Sequence, residues 1–151
     1  MTTLIPEHSG TTSLEHATYL ALQVLAVRLN DDTEELLKQG GLSGTQFNVL
    51  RILRGAGDQP LTCGDIARQL INKDPDVTRL LDRLDRQGLV ERLRSEQDRR
   101  VLLTRLSSEG RAVVARYDTP LAELHRHQFA NLAPAALAQL LTLLQDVSSP
   151  R

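Results

Sequence analysis

The side chains best able to do chemistry in this sequence are arginines, and most of them lie in the middle of the chain. Residues 68–116 carry twelve basic and eight acidic side chains, and eleven of the twelve are arginines. Residues 1–67 carry only four basic side chains against eight acidic ones. The planar guanidinium suits phosphate oxygens and guanine edges, so this concentration favours a nucleic-acid-binding surface. Because acidic residues are interleaved, charge alone fits a solvated, salt-bridged surface equally well.

Other kinds of chemical site find little support. The single cysteine, Cys63, can form neither an internal disulfide nor a cysteine-rich zinc site. A helix would point His125 and His127 to different faces, so the sequence predicts no metal site, and no motif implies a cofactor. A nucleophile–base pair and a glycine-rich phosphate loop are also absent from the sequence, which disfavours an enzyme. Two tyrosines and two phenylalanines are too few for the stacking platforms of single-strand binders.

Length and composition indicate one globular domain. The chain has 151 residues, is 40% hydrophobic and has a net charge of −1, which predicts a single domain over residues 1–151. Its longest apolar stretch, Leu20–Val27, is far shorter than the roughly 20 residues of a membrane span. Residues 1–10 contain no Lys or Arg ahead of an apolar segment, unlike a secretory signal. We therefore expect a cytoplasmic protein with no membrane partner.

Long helices are predicted at both ends of the chain. The capping box Thr12-Ser13-Leu14-Glu15 opens a first helix that ends at Gly40-Gly41, which makes it about 40 Å long. A later helix, capped by Ser107, should bend near Pro120, and Pro134 opens a last helix with an apolar stripe. Helices this long and apolar exceed what a small core needs. The sequence thus predicts dimerisation helices at about residues 13–40 and 108–147.

Between these ends, the sequence predicts a helix-turn-helix. Ser43 and Gln46 form a capping box for a second helix, and Thr62 caps a short third helix with Asp65 at its third position. The turn between them is signalled by the glycines and proline of residues 55–60.

A fourth helix is predicted to start with Asp74 as its N-cap and Pro75 at its first position, and to run to Gly88. Its apolar residues recur at steps of three and four, which predicts one buried face and one basic face. The buried face consists of Val77, Leu80, Leu81 and Leu84, and the opposite face of Asp76, Arg79, Arg83 and Arg86.

A β-hairpin should follow the fourth helix. Residues 89–94 and 101–106 alternate loosely, and the polar run between them carries arginines at its tip. A helix-turn-helix followed directly by a two-stranded hairpin is the winged arrangement, whose second helix enters the major groove. The fold class is therefore mainly α with a small β-hairpin wing. It comprises a winged helix-turn-helix lobe at about residues 43–107 and the dimerisation helices on either side.

Two runs in this lobe resemble the MarR family of bacterial transcriptional regulators. Asp98-Arg99-Arg100, followed by Leu106-Ser107, is similar to the family's wing signature of Asp-x-Arg with a closing Leu-Thr or Leu-Ser. Residues 77–90 resemble its recognition helix and the exit into the wing. The resemblance covers residues 13–147. It implies a homodimeric repressor that binds a palindromic double-stranded DNA operator and loses affinity when a small ligand binds.

The resemblance also implies roles for individual residues. Arg100 matches the wing arginine that enters the minor groove, and Asp98 would orient its guanidinium by a charge-assisted hydrogen bond. A pair that merely stiffens the turn is the alternative. Thr78 and Arg79 match the groove-facing start of the recognition helix.

The remaining candidates in the lobe are less specific. Arg83 and Arg86 could contact DNA, although a salt bridge from Arg83 to Asp82 or Asp85 fits equally well. Asp76 could accept a hydrogen bond from a cytosine amino group. The predicted DNA-binding set is Thr62, Lys73, Asp76, Thr78, Arg79, Arg83, Arg86, Asp98, Arg99 and Arg100.

An effector site and two alternative functions stay open. By the resemblance, a pocket for a small phenolic or aromatic anion, paired with Arg51, would be lined by His16, Tyr19, Arg51 and Tyr117; otherwise these residues form surface salt bridges. The net charge of −1 also permits a winged helix that binds protein and no DNA. Cys63, at the start of the third helix, could sense oxidants, although a small packed residue is the favoured interpretation.

Overall fold

The computed structural model describes residues 13–74 and 76–150. These residues form a mainly helical structure with one small antiparallel sheet, as the sequence predicts. In chain order the elements are α1 (Leu14–Lys38), α2 (Gly44–Gly55), β1 (Leu61–Thr62), α3 (Cys63–Gln69), α4 (Val77–Arg86), β2 (Val90–Arg94), β3 (Leu102–Leu106), α5 (Ser108–Gln128) and α6 (Pro134–Ser148). No helix among the described residues is long and apolar enough to cross a membrane.

Contacts divide the chain into two compact units, Met1–Tyr117 and Asp118–Arg151. The boundary lies inside α5, three residues after the last member of the first unit's buried core, Val114. The backbone of α5 stays helical through Pro120, and the bend expected there stays a prediction.

Side-chain caps start most of these helices. The predicted capping box of Ser43 with Gln46 is present at α2, and the predicted cap Thr62 forms a second box with Asp65 at α3. The N-cap of α1 is Ser13, whose Oγ accepts from the backbone N–H of His16 at 3.2 Å. The predicted cap Thr12 lies outside the described residues. Caps of this kind satisfy the first N–H groups of a helix, which have no partner inside it.

The predicted start of α4 is wrong by two residues. The N-cap is Asp76, whose carboxylate accepts from the backbone N–H of Arg79 at 3.0 Å. Asp74 instead accepts from the backbone N–H of Asp76 at 2.8 Å. An Asp that bonds the backbone two residues later forms a turn of its own, so the helix begins only after the second aspartate. Pro75 lies outside the described residues.

The sheet contains the predicted hairpin and one additional strand. β2 and β3 pair antiparallel from Val90 opposite Leu106 to Arg94 opposite Leu102. The short strand β1 pairs with the other edge of β3, with Leu61 opposite Thr104, which gives the order β1-β3-β2. A strand of two residues is too short to produce an alternating pattern, so the sequence did not reveal it.

The core lies in the first unit, between α2, α4 and the sheet. Every apolar residue predicted to face inward on α4 is buried, and so are the predicted core residues of α2. The buried core positions of these two helices are Phe47, Val49, Leu50, Leu53, Val77, Leu80, Leu81 and Leu84. This packing holds α4 by one face and leaves its opposite face at the surface.

Candidate nucleic-acid interface

The outer face of α4 carries three exposed arginines. Arg79, Arg83 and Arg86 lie at the surface together with Thr78, because the buried stripe occupies the other side of the helix. Within the described residues, none of the three guanidinium groups takes part in a hydrogen bond or ion pair. Cations without an internal partner are available for an external anion.

The salt bridge considered for Arg83 is not observed among the described residues. Asp82 pairs instead with Arg92 of strand β2, whose Nη1 donates to Asp82 Oδ1 at 2.8 Å. Asp85 makes no side-chain hydrogen bond or ion pair in the part of the chain described here. The acidic neighbours therefore leave Arg83 free to face solvent.

The wing tip is a hydrogen-bonded turn between β2 and β3. The backbone N–H of Ser95 donates to Val101 O at 3.0 Å, and the N–H of Val101 donates to Asp98 O at 2.9 Å. Arg99 and Arg100 are both exposed on this turn.

The predicted contact from Asp98 to the Arg100 guanidinium is wrong. Asp98 Oδ1 accepts from the backbone N–H of Arg100 at 3.0 Å, so the carboxylate orders the turn. A hydrogen bond from Asp to the backbone two residues later restricts no long side chain. A bond to the guanidinium would cost the conformational entropy of the Arg100 side chain. The alternative interpretation, a pair that stiffens the turn, describes this contact better.

Three other predicted DNA-binding residues act as helix caps. Thr62 Oγ1 donates to Asp65 Oδ2 at 2.8 Å, and the Thr62 backbone N–H donates to the same oxygen at 3.1 Å. Hydrogen bonds from the Thr62 side chain and then from its backbone lower the pKa of Asp65. The Lys73 ammonium donates to two carbonyls near the end of α3, those of Ala67 at 3.2 Å and Arg68 at 3.0 Å. Asp76 caps α4 as described above. These contacts account for all three residues without DNA.

Cys63 lies next to the exposed first turn of α4. It is half-buried at the first position of α3, and its Sγ is 3.7 Å from Thr78 Oγ1. The described residues contain no group of three or more His, Cys, Asp or Glu that could hold a metal ion.

The described residues place the four predicted effector residues at three different positions. The His16 and Tyr19 rings stack 6.5 Å apart near the exposed start of α1, and Arg51 borders a shallow cavity of about 530 Å³ on α2. Tyr117 packs edge-on against Phe47 with ring centroids 5.4 Å apart. It borders a groove that includes Gly40, about 30 Å along α1 from Tyr19. The sequence placed these four residues on helices, but it could not show which residues of different helices lie close together.

The groove beside Tyr117 lies between three parts of the first unit: the segment after α1, the segment after α4, and α5. It has a volume of about 510 Å³ and is lined by Gln39, Gly40, Gly41, Leu42, Gln87, Leu89, Val113, Arg116 and Tyr117. A Cβ at Gly40 would overlap the Tyr117 hydroxyl, so glycine permits this close approach. Gln87 is the C-cap of α4, and Leu89 precedes the wing. A molecule in this groove would therefore contact the end of the recognition helix.

Comparison with known proteins agrees with this architecture. A sequence model described as the MarR family matches residues 42–102, the second helix through the start of β3. The homoprotocatechuate degradative operon repressor of Escherichia coli is 32% identical over 111 residues, which are 74% of this chain and 74% of the repressor.

Solved structures extend the match to nearly the whole chain. A MarR transcription factor from Planctomyces limnophilus is 34% identical, with a TM-score of 0.70, covering 90% of this chain and 98% of that one. A variant of MarR from E. coli in complex with operator DNA is 26% identical, with a TM-score of 0.79, covering 91% and 100%. The chain therefore belongs to the MarR family of DNA-binding transcriptional regulators.

Proposed function

We propose that this protein binds a palindromic operator as a homodimer, with α4 in the major groove and the wing in the adjacent minor groove. The observation that carries the proposal is the set of exposed arginines on one helix face and one turn of the same lobe, whose guanidinium groups have no partner among the described residues: Arg79, Arg83, Arg86, Arg99 and Arg100. An α-helix fits the major groove, and a narrow minor groove attracts a cation.

Individual side chains take different parts in this docking. Thr78 and Arg79, in the first turn of α4, contact base edges and supply sequence preference. Arg83 and Arg86, one and two turns further along, hold phosphates and fix the register. Arg100 enters the minor groove from the wing tip, and Arg99 contacts the backbone beside it.

The capping residues contribute by shaping the surface. Thr62, Lys73 and Asp76 hold the ends of α3 and α4, and Asp98 holds the wing turn. Rigid placement of these ends reduces the entropy lost when DNA is bound. We therefore assign these four residues to positioning of the interface, with no direct contact to a base.

Dimerisation follows from the apolar surfaces of the terminal helices. No residue of α6 is buried, although Leu141, Leu143 and Val147 are apolar. In α1 only Leu37 is buried. A second copy of the chain would cover both helices and would place two α4 helices about one DNA turn apart, which requires a palindromic operator.

Repression and response to a small aromatic anion complete the proposal. The homoprotocatechuate relative is by name the repressor of a degradative operon for an aromatic acid. The groove beside Tyr117 is lined by one cation, Arg116, by an aromatic ring and by the C-cap of α4. An anion held there would favour one placement of the recognition helix over another and so change operator affinity. Tyr117 keeps its predicted role, with Arg116 replacing Arg51 as the partner of the anion.

Selection from a random duplex library tests the proposal directly. The protein should enrich duplexes that contain an inverted repeat, and its affinity for them should fall steeply with salt concentration. Enrichment of no sequence would contradict specific DNA binding. Homoprotocatechuate should then weaken binding to the enriched duplex, and Arg116→Gln should abolish this response. An unchanged response in Arg116→Gln would exclude the groove as the effector site.

A further inference from the structure

We infer that Asp82 and Arg92 form a strut that sets the angle between α4 and the wing, and that operator recognition depends on this angle. The inference rests on the proposed docking of both elements on DNA. It makes Arg92 and Asp82 positioning residues, which act through the placement of the DNA-contacting arginines. Neither residue was among those predicted from the sequence.

The ion pair joins the two DNA-reading elements. Arg92 lies on β2 of the wing, and its Nη1 donates to Asp82 Oδ1 on α4 at 2.8 Å. The Arg92 side chain is only 10% exposed, whereas that of Asp82 is 50% exposed. A cation withdrawn from water is costly unless it is paired, so Asp82 holds Arg92 in one place.

Among the described residues, Asp82 is the one side-chain partner of the Arg92 guanidinium. Arg92 is on the same face of β2 as the buried residue Val90, opposite the fully buried Thr104 of β3. Arg92 Nε and Thr104 Oγ1 are both buried without a hydrogen-bond partner among the described residues. Within this part of the chain, the guanidinium therefore takes its position from Asp82.

The ion pair adds to the contacts that hold the base of the wing. Between α4 and β2 the chain passes through Gly88, which has a φ of 73°. Ser107 Oγ donates to Gly88 O at 2.6 Å and so fixes the start of the wing. The pairing of β1 with β3 holds the opposite edge of the sheet. The ion pair lies two residues into β2, on the edge that β1 does not contact, and connects that edge to α4.

The chain offers matched controls for both partners. On the hairpin itself, Arg105 Nε pairs with Glu91 Oε2 at 2.8 Å, but this bridge joins only β2 and β3. On α4, Asp85 is exposed and has no side-chain partner within residues 13–74 and 76–150. Arg105→Gln thus matches Arg92→Gln in charge, and Asp85→Asn matches Asp82→Asn.

Asp82→Asn separates positioning from electrostatics because the two effects have opposite signs. Loss of a negative charge beside DNA should, by electrostatics alone, strengthen binding to any duplex. Loss of the strut should weaken binding to the duplex selected by the wild-type protein by roughly 3- to 30-fold, the range for residues that act through others. Fluorescence anisotropy titrations with the selected duplex and with a random-sequence duplex measure both effects. We expect Asp85→Asn to bind both duplexes at least as tightly as the wild-type protein.

A double-mutant cycle completes the test. If the residues act through each other, Asp82→Asn combined with Arg92→Gln should lose little more operator affinity than either single variant. Arg105→Gln should lose only the small, duplex-independent amount expected for one positive charge. Melting temperatures of all variants identify any that fail to fold; because Asp82→Asn is isosteric and half-exposed, it decides the question if Arg92→Gln unfolds.

Three results would overturn the inference. Asp82→Asn could bind the selected duplex as tightly as Asp85→Asn, or the effects of the two single substitutions could multiply. In either case, if Arg100→Ala still weakens operator binding, the proposed docking stands and only the strut fails. If the wild-type protein selects no duplex, the proposed docking fails and the strut fails with it.

Discussion

The winged lobe and the terminal helices differ in how much of their apolar sequence they bury. Helix α4 buries all four residues of its apolar stripe, from Val77 to Leu84. Helix α6 has a denser apolar sequence but buries none of its residues, and Leu141 and Val147 are 57% and 78% exposed. The lobe thus buries its apolar stripe within one chain, whereas Leu141, Leu143, Leu144 and Val147 of α6 stay exposed in the described structure.

In the proposed dimer, this difference assigns the contact with the second copy to the terminal helices. Leaving a large apolar side chain in water costs about 1.5–3 kcal/mol, so several on one helix face cannot stay uncovered. The lobe needs no such cover and can present its polar face to DNA. In the proposed dimer, folding of the recognition surface and assembly of the two copies therefore depend on different helices.

Removal of residues 134–151 should have the largest effect on dimer assembly and operator binding. We expect the truncated protein to be monomeric or aggregated and to lose specific operator binding, by about 100- to 10,000-fold, because one recognition helix reads only a half-site. Sedimentation velocity and an operator titration measure the two parts. A stable dimer that binds at full strength would place the interface elsewhere.

A matched pair of leucine substitutions should separate folding from assembly. Leu81→Ala, at a fully buried position in α4, should lower the free energy of unfolding by about 2–5 kcal/mol. Leu141→Ala, on exposed α6, should instead weaken the dimer by up to about 2 kcal/mol for its missing methylene and methyl groups. Denaturant unfolding and sedimentation equilibrium measure these changes. If Leu81→Ala and Leu141→Ala lowered the free energy of unfolding equally at high protein concentration, folding and assembly would not depend on different helices.

Arg100→Ala should weaken operator binding by about 1–3 kcal/mol without lowering the melting temperature. The side chain is exposed, and its loss removes a minor-groove cation but no internal contact among the described residues. Arg126→Ala removes the same charge from α5, outside the lobe, and serves as the control. If the two variants bind the operator equally, the wing assignment is wrong.

Thr78→Val combined with Arg79→Ala should reduce the ratio of operator to random-duplex affinity. These side chains lie at the exposed start of α4, where base edges are within reach. Removal of a side chain that reads a base edge is expected to cost about 1–3 kcal/mol of discrimination. Competition titrations measure the ratio. A fall in both affinities by the same factor would show that these side chains touch the phosphate backbone only.

Peroxide should leave operator binding unchanged. The Cys63 thiol contacts the neutral Thr78 hydroxyl, and no cation pairs with this thiol in the described part of the chain. Cysteines that react rapidly with oxidants need a thiolate-stabilising neighbour. Titrations before and after peroxide treatment test this. A reversible loss of binding that Cys63→Ser prevents would establish oxidant sensing instead.

Local signals allowed much of the lobe to be predicted. The capping boxes at Ser43 and Thr62 and the apolar stripe of α4 depend on neighbouring residues alone, and all three are confirmed. The hairpin is confirmed as well, with strands that start within one residue of the predicted positions. The family match supports the same order of elements.

The features that were missed depend on competition or on distant parts of the chain. Asp74 and Asp76 could each cap α4, and only the turn between them decides which does. The Asp98 carboxylate could accept from the Arg100 guanidinium or from its backbone N–H, and only the structure shows that it accepts from the N–H. The strut from Arg92 requires knowledge of how β2 packs on α4. A single signal was available for it: an arginine on the inward face of a strand, where an apolar residue is typical.

A hydroxyl-radical footprint of the wild-type protein on its selected duplex tests the central claim most directly. Two recognition helices held by one dimer should protect both strands with two-fold symmetry, at two sites about 34–36 Å apart, with minor-groove protection at the wings. Protection of one half-site only, or protection without symmetry, would contradict a dimer that reads a palindrome through α4 and the wing.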